Sequence, residues 1–290
     1  MKISEWTIAL ISLLVISGCP SYAMDVLANN VSDIKSQEVK STNAKEMTAD
    51  MIVSKAEQAT YYAGDDGRSM ARMMIVNGQG KKQYRQFTIL RKDIEDGGDQ
   101  NMLVWFSRPS DIKGTVFRVT KHVNTDDDRW LYLPGLDLVK RISAGDKRTS
   151  FVGSHFFYED ISGRSINQDI HQLISSDDKF YIIESKPKYP EQVSFSSYRI
   201  YVDKESFLAR KIEYFDVHGE KYRELESIQV EDIDGIATTM RSKVSDLRTG
   251  GFTLMEFRRV KYNLGIPDNV FTERSLRKPP VQWLKPVRGQ

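Results

Sequence analysis

Arg129–Ile142, RWLYLPGLDLVKRI, with its continuation Gly153–Gly163, GSHFFYEDISG, decides how this chain is read. Trp130, Tyr132 and their apolar neighbours make a short aromatic-rich strand. Pro134-Gly135 interrupts it, and Leu136–Ile142 resumes the alternation of apolar and polar residues. The stretch reads as strand, turn, strand. It holds no nucleophile paired with a base, no metal-ligand cluster and no phosphate loop. Its aromatic content therefore points to packing or to an apolar ligand.

The same period of two runs outward in both directions. Upstream, Ser69–Val76, the turn Asn77-Gly78-Gln79-Gly80 and Lys81–Arg91 predict a hairpin, because the turn needs positive φ and Asn and Gly supply it. Asn101–Ser107 and Thr115–His122 are further strands, separated by an acidic, glycine-containing loop and by Pro109. Downstream, strands are expected at 170–174, 179–185, 193–202, 208–215, 221–230, 236–245 and 251–263, joined by short turns. One helix precedes them: Thr48 is a good N-cap, Asp50 suits the first turn, and Met51, Ile52, Ala56 and Ala59 recur at helical spacing as far as Tyr61. With so few helices between strands, parallel crossovers are excluded in favour of a mainly β (α+β) fold, a strongly curved antiparallel sheet or barrel.

At 290 residues and 40% hydrophobic the chain can bury a full core, and one β-rich domain is expected. The 42 basic and 40 acidic residues leave a net charge of +2, which excludes nucleic-acid binding by bulk charge. The apolar run Thr7–Ser17 behind Lys2 is too short for a comfortable membrane span and reads as a signal peptide. Two cleavage sites compete. Ser21-Tyr22-Ala23 suits ordinary signal peptidase and gives a signal of 1–23. Ile16-Ser17-Gly18-Cys19 resembles a bacterial lipobox and gives 1–18, with Cys19 as the lipidation acceptor. Cys19 is the sole cysteine, so the chain has no intramolecular disulfide. Residues 24–46 are polar and without period and read as a flexible linker. Residues 277–290 form a Pro-rich basic tail whose Trp283 and Leu284 either cover a sheet edge or belong to a free end.

Several spaced stretches stand out together: Met47–Asp50, Phe106–Thr115 (FSRPSDIKGT), Trp130–Pro134, Arg141–Ser143, Phe271-Thr272 and Phe151–Arg164, read as F-x-G-S-x-F-x-Y-E-D-x-S-G-R. They resemble the outer-membrane lipoprotein-sorting protein family, related in fold to the carrier LolA and its receptor LolB. The similarity spans about 47–276. It implies an unclosed β-barrel with an N-terminal helix and short helices as a lid over an apolar concave face. That face would hold lipoprotein acyl chains or another lipid without catalysis or cofactor. The resemblance further implies the periplasm of a Gram-negative bacterium, soluble or anchored to the outer membrane through Cys19, a membrane surface and an RND-type transporter as partners.

The lipid-binding candidates are Trp105, Phe106, Phe117, Trp130, Tyr132, Leu133 and Met51. Each also suits plain core packing. Alternation puts Trp130 and Tyr132 on one face and Leu131 and Leu133 on the other, without saying which is concave. Met47, Met51, Met70, Met73 and Met74 form a flexible apolar set suited to a lid or to the core. Gly153, Ser154, Phe156, Tyr158, Glu159 and Asp160 form the motif loop. His155 with Glu159 and Asp160 is the one grouping that could suggest catalysis or a metal. Extended backbone around Phe156-Phe157-Tyr158 would keep them apart, leaving the carboxylates to fix a loop or pair with Arg141 or Arg164. Asp126-Asp127-Asp128 lacks the Gly and distal Glu of a calcium loop and reads as a solvated turn. Arg258, Arg259, Lys261 and the tail make the C-terminal end basic, a solvated surface or one facing anionic lipid.

Overall fold

A computed structural model describes residues 47–284. The signal segment, both cleavage sites, Cys19, the 24–46 linker and residues 285–290 lie outside the described residues. The chain enters through α1 (Ala49–Tyr61), where Thr48 Oγ1 accepts a hydrogen bond from the Met51 N–H at 3.3 Å and so serves as the expected N-cap. Ile52, Val53 and Ala56 are its buried side.

Thirteen strands follow among the described residues: β1 (Asp66–Val76), β2 (Lys82–Asp93), β3 (Gln100–Arg108), β4 (Val116–Lys121), β5 (Asp128–Leu133), β6 (Leu138–Ile142), β7 (Asp169–Ser176), β8 (Phe180–Pro187), β9 (Ser197–Asp203), β10 (Ala209–Phe215), β11 (Lys221–Ile233), β12 (Ile236–Asp246) and β13 (Phe252–Tyr262). They form one antiparallel sheet in the order β6-β5-β4-β3-β2-β1-β13-β12-β11-β10-β9-β8-β7. Two meanders, β1–β6 and β7–β13, are thus joined where β1 pairs with β13. The sheet is strongly curved and stays unclosed, with β6 and β7 as its edges. Turn chemistry does what the residues demand: the Asn77 side chain accepts the Gln79 and Lys81 N–H groups, and Asp234 and Gly235 both take positive φ, 55° and 84°, between β11 and β12.

The N-terminal meander is buried on both faces. On its concave face lie Phe87, Met102, Val104, Phe106, Phe117 and Leu131. On its convex face Leu90, Leu103 and Val116 are covered by the returning chain, through Ile266, Val270, Phe271, Leu276 of α3 (Arg274–Arg277) and Leu284 of α4 (Val281–Leu284). Such a strand reads as a nearly continuous apolar run, as NMLVWF does in β3. Trp283 and Leu284 therefore cover a sheet face rather than an edge. The fit is sealed by Thr88 Oγ1, which donates to the Leu284 carbonyl at 3.0 Å.

Because β6 and β7 sit at opposite edges, residues 143–168 must cross the concave side, and they carry α2 (Tyr158–Ser162). Phe151, fully buried, enters a ring cluster with centroids 5.8 Å from Phe106, 5.5 Å from Phe117 and 5.4 Å from Tyr158. Gly163 takes a φ of 83°, where an L side chain is strained, and a Cβ there would sit tightly against Lys121 Nζ at 3.0 Å and the Tyr61 ring at 3.3 Å.

Candidate functional site

The concave face of the second meander is built differently. Ile183, Tyr198, Ile200 and Tyr214 pack against Ile52, Val53 and Ala56 of α1. Between the C-terminal end of α1 and strands β1–β3 and β10–β13 the packing stops, leaving a hollow of about 280 Å³. Its cause is legible in the lining. Ala59, Ala63, Gly67, Ser69, Ala209 and Ser242 face it where larger residues would close it. Ile89, Met102, Ile212, Leu225, Met255 and Phe257 make the rest of the wall mostly apolar. The size lies near the lower end of ligand pockets, about 300–1,000 Å³. A second recess of about 510 Å³, at Arg85, Ser107, Arg108 and Lys113, is more open to solvent.

The end of α1 that roofs the hollow is pinned by polar groups. The Arg91 guanidinium donates to the carbonyls of Tyr61, Ala63 and Gly64, the Gln100 amide donates to Tyr61 at 2.8 Å, and Lys121 Nζ meets Glu57 at 2.9 Å. The Tyr61 hydroxyl donates to the Asp160 carbonyl at 3.3 Å, and burial pushes this phenol far above its ordinary range, so it remains a donor.

The motif loop forms a brace. Glu159 takes Arg148 at 2.8 Å and Arg164 at 3.0 Å. Arg164 also grips Asp169 through both carboxylate oxygens, at 2.7 and 2.9 Å, and Tyr198 donates to the same Asp169. Asp160 accepts the Phe157 N–H at 2.6 Å and pairs with Arg223 of β11. Burial works against the charge on Glu159, but Arg164, Arg148 and Lys147 more than offset it and hold the carboxyl below the usual carboxylate range. The Arg148 guanidinium stacks 4.6 Å from the Phe195 ring centroid. These buried ions tie the crossing segment to the second meander, at β7 and β11.

The His155 ring makes no hydrogen bond to the carboxylates of the motif, although the His155 carbonyl shares Arg223 with Asp160. His155 Nδ1 is 2.9 Å from Thr253 Oγ1, its backbone N–H donates to the same oxygen at 3.0 Å, and burial lowers its pKa. Among the described residues no three His, Cys, Asp or Glu side chains gather in a way that could hold a metal ion. Arg141 pairs with Asp128 rather than with the motif, and Asp127 is drawn in to Arg129 at 2.5 Å. The acidic turn is therefore partly internal, because Arg129 is itself buried and needs a counter-ion.

Of the lipid-binding candidates, Phe106 and Phe117 are concave but occupied by the aromatic cluster, and Leu133 packs at its margin. Trp105, Trp130 and Tyr132 face the convex side, packed on the C-terminal cover. Met51 is 37% exposed on α1. None of these seven lines the hollow, whereas Phe156 and Asp160 of the motif loop do. Of the methionine set, Met73 is core and Met47 packs beside α1. The methionines that reach the hollow are Met102 and Met255. The signal that would have found the hollow was small residues at strand positions, Ser69 of β1, Ala209 of β10 and Ser242 of β12, where β-branched residues are the norm.

Among the described residues no helix is long and apolar enough to cross a membrane. A family model described as "-like: Uncharacterized protein" matches residues 98–278. No curated protein sequence matches the chain. Among solved structures, a domain named for outer membrane lipoprotein sorting, from Vibrio parahaemolyticus, is 24% identical with a TM-score of 0.70, over 78% of this chain and 97% of that one. A LolA superfamily protein from Nitrosomonas europaea is 20% identical with a TM-score of 0.61, over 79% and 99%. These two likenesses show the fold, a LolA-like unclosed sheet. A DUF1329 family protein from Desulfovibrio piger is 31% identical with a TM-score of 0.71, over 79% of this chain and 97% of that one. Spanned almost from end to end at that identity, this relative places the chain in its own family: it belongs to the DUF1329 family.

Proposed function

We propose that the chain is a non-enzymatic lipid carrier or receptor of the periplasm, holding an acyl chain of a lipoprotein or of another lipid in the hollow beneath α1. The observation that carries this reading is the hollow itself, about 280 Å³ of mostly apolar wall kept open by small side chains in an otherwise close-packed body. An acyl chain gains about 0.8 kcal/mol per buried CH₂. A stretch of about ten methylenes therefore offers roughly 8 kcal/mol before the cost of immobilising it, enough for retention and small enough for release. The fold shared with LolA superfamily and lipoprotein-sorting domains supports the same reading.

Mass spectrometry of the protein from native membrane and periplasmic fractions tests it. A lipid adduct is expected under non-denaturing conditions and should be lost on denaturation. Repeated gentle preparations without an adduct would rule the carrier reading out. The same spectra assign the processing: an acylated Cys19 marks a tethered receptor, an N-terminus at Met24 a soluble shuttle.

A second reading has its own support. The concave face of β1–β6 is filled by Phe87, Phe106, Phe117 and Phe151, as in a sheet used for docking rather than carriage. On that reading the chain is an accessory subunit of an RND-type lipid-exporting transporter, and it purifies with the transporter and without lipid.

A further inference from the structure

The ladder between β12 and β13 stops at Arg241↔Glu256. Beyond that point β12 runs on to Ile236 paired with β11 alone, and β13 runs on to Tyr262 paired with β1 alone. The parting has a local cause. On β13 the register against β1 shifts between Arg68 and Met70, and Arg259 takes a φ of 52°, an extra residue that bends and twists the strand away from its neighbour. The result is a seam inside the sheet, flanked on both sides by strand backbone without a ladder partner across it.

This seam opens onto the hollow. Ala237, Thr238 and Thr239 of β12 and Phe257, Val260 and Tyr262 of β13 line both. Among the described residues one side-chain hydrogen bond spans the seam, Thr238 Oγ1 to Tyr262 Oη at 2.9 Å. The gap between the sheet's edge strands lies elsewhere, since none of the residues lining the hollow belongs to β4–β9. On that side the crossing segment fills the concave face with Phe151 and Tyr158.

We propose that cargo enters and leaves the hollow sideways, through the seam between β12 and β13, with the Thr238–Tyr262 hydrogen bond as its latch. This rests on the carrier reading and adds the route. A single acyl chain fits such a slot, because it can thread tail first while its polar head stays in water outside the sheet. The latch trades one hydrogen bond for access, so it opens readily at ordinary temperature.

The test uses the full chain with Cys19→Ser, so that thiols occur only where introduced, and the pair Thr238→Cys/Tyr262→Cys. A short bis-methanethiosulfonate links the two across the seam, and reductant releases it. Uptake of cis-parinaric acid is followed by stopped-flow fluorescence. Bridging is expected to slow association at least tenfold, and reductant to restore it, which also shows that the variant is folded. Tyr262→Phe, lacking the latch, is expected to associate several-fold faster, a change that the loss of a mere contact would not produce. Bridged protein that takes up the probe at the unbridged rate overturns the seam route while leaving the carrier reading intact, and it redirects the search to the space past α1. An unmodified chain with no saturable uptake overturns both.

Discussion

The two meanders of this sheet are made of similar lengths of chain and are finished in opposite ways. The first, β1–β6, is solid over most of its span and borders the hollow only through part of β1–β3: aromatic rings fill its concave face, and residues 264–284 cover its convex face. The second, β7–β13, carries α1 and a hollow on the concave side and a bare lattice of ion pairs on the convex side, such as Lys211–Glu213 and Arg241–Glu256. A carrier needs both. A rigid half holds the curvature so that the other half can leave space unfilled without collapsing into it.

Breaking the solid half should cost most. Phe151→Ala removes the ring shared by four neighbours and is expected to destabilise by about 3–5 kcal/mol in urea unfolding. Leu276→Ala, under the convex cover, should cost about 2–5 kcal/mol; a near-neutral result would mean that the cover is loosely attached. Overpacking then separates the halves directly. Ala71→Leu, in the closed concave core, should cost about 1–3 kcal/mol. Ala209→Leu, facing the hollow, should stay within about 0.5 kcal/mol of the parent while weakening lipid retention. Equal costs at the two sites would erase the distinction.

The ionic convex face of the second half should answer to pH rather than to volume. Burial opposes the charge of Glu213, yet hydrogen bonds from Lys211, Lys221 and Tyr201 pull its pKa from 4.5 to about 2. A depressed carboxylate stabilises the fold fully above its unfolded pKa. That contribution fades as the pH falls from about 4.5 toward 2. Glu213→Gln should therefore show a shallower loss of stability over that window, measured by thermal melts. Smallest of all, Arg241→Ala breaks a half-exposed pair with Glu256 and should cost under about 1 kcal/mol, less still at high salt.

The sheet was legible in the amino-acid sequence because strand signals are local. Alternation, the Asn77–Gly80 turn and the Thr48 cap each depend on a few consecutive residues. The face of each strand was not. Trp130 and Tyr132 invite a role in a cavity by their size, yet large aromatics are what a closed face uses, and here that face lies under the C-terminal segment. A hollow is signalled by what is small. Ser69, Ala209 and Ser242 are inconspicuous in a sequence and become a wall only when distant strands meet. Glu159 does pair with Arg164, as its place in the motif suggested, but Arg148 joins it from the start of the crossing segment and Asp160 finds Arg223 on a distant strand, which only the crossing of the sheet brings near.

The central claim is that the hollow beneath α1, where β1–β3 meet β10–β13, and not the ring-filled concave face around Phe151, holds an apolar chain. A crystal structure of the protein loaded with a bromine-tagged fatty acid tests it most directly. The account predicts an anomalous bromine peak among Leu225, Met255 and Phe257 beneath α1. A peak against Phe106 and Phe117, or a saturated protein with no ordered bromine in the hollow, would contradict it.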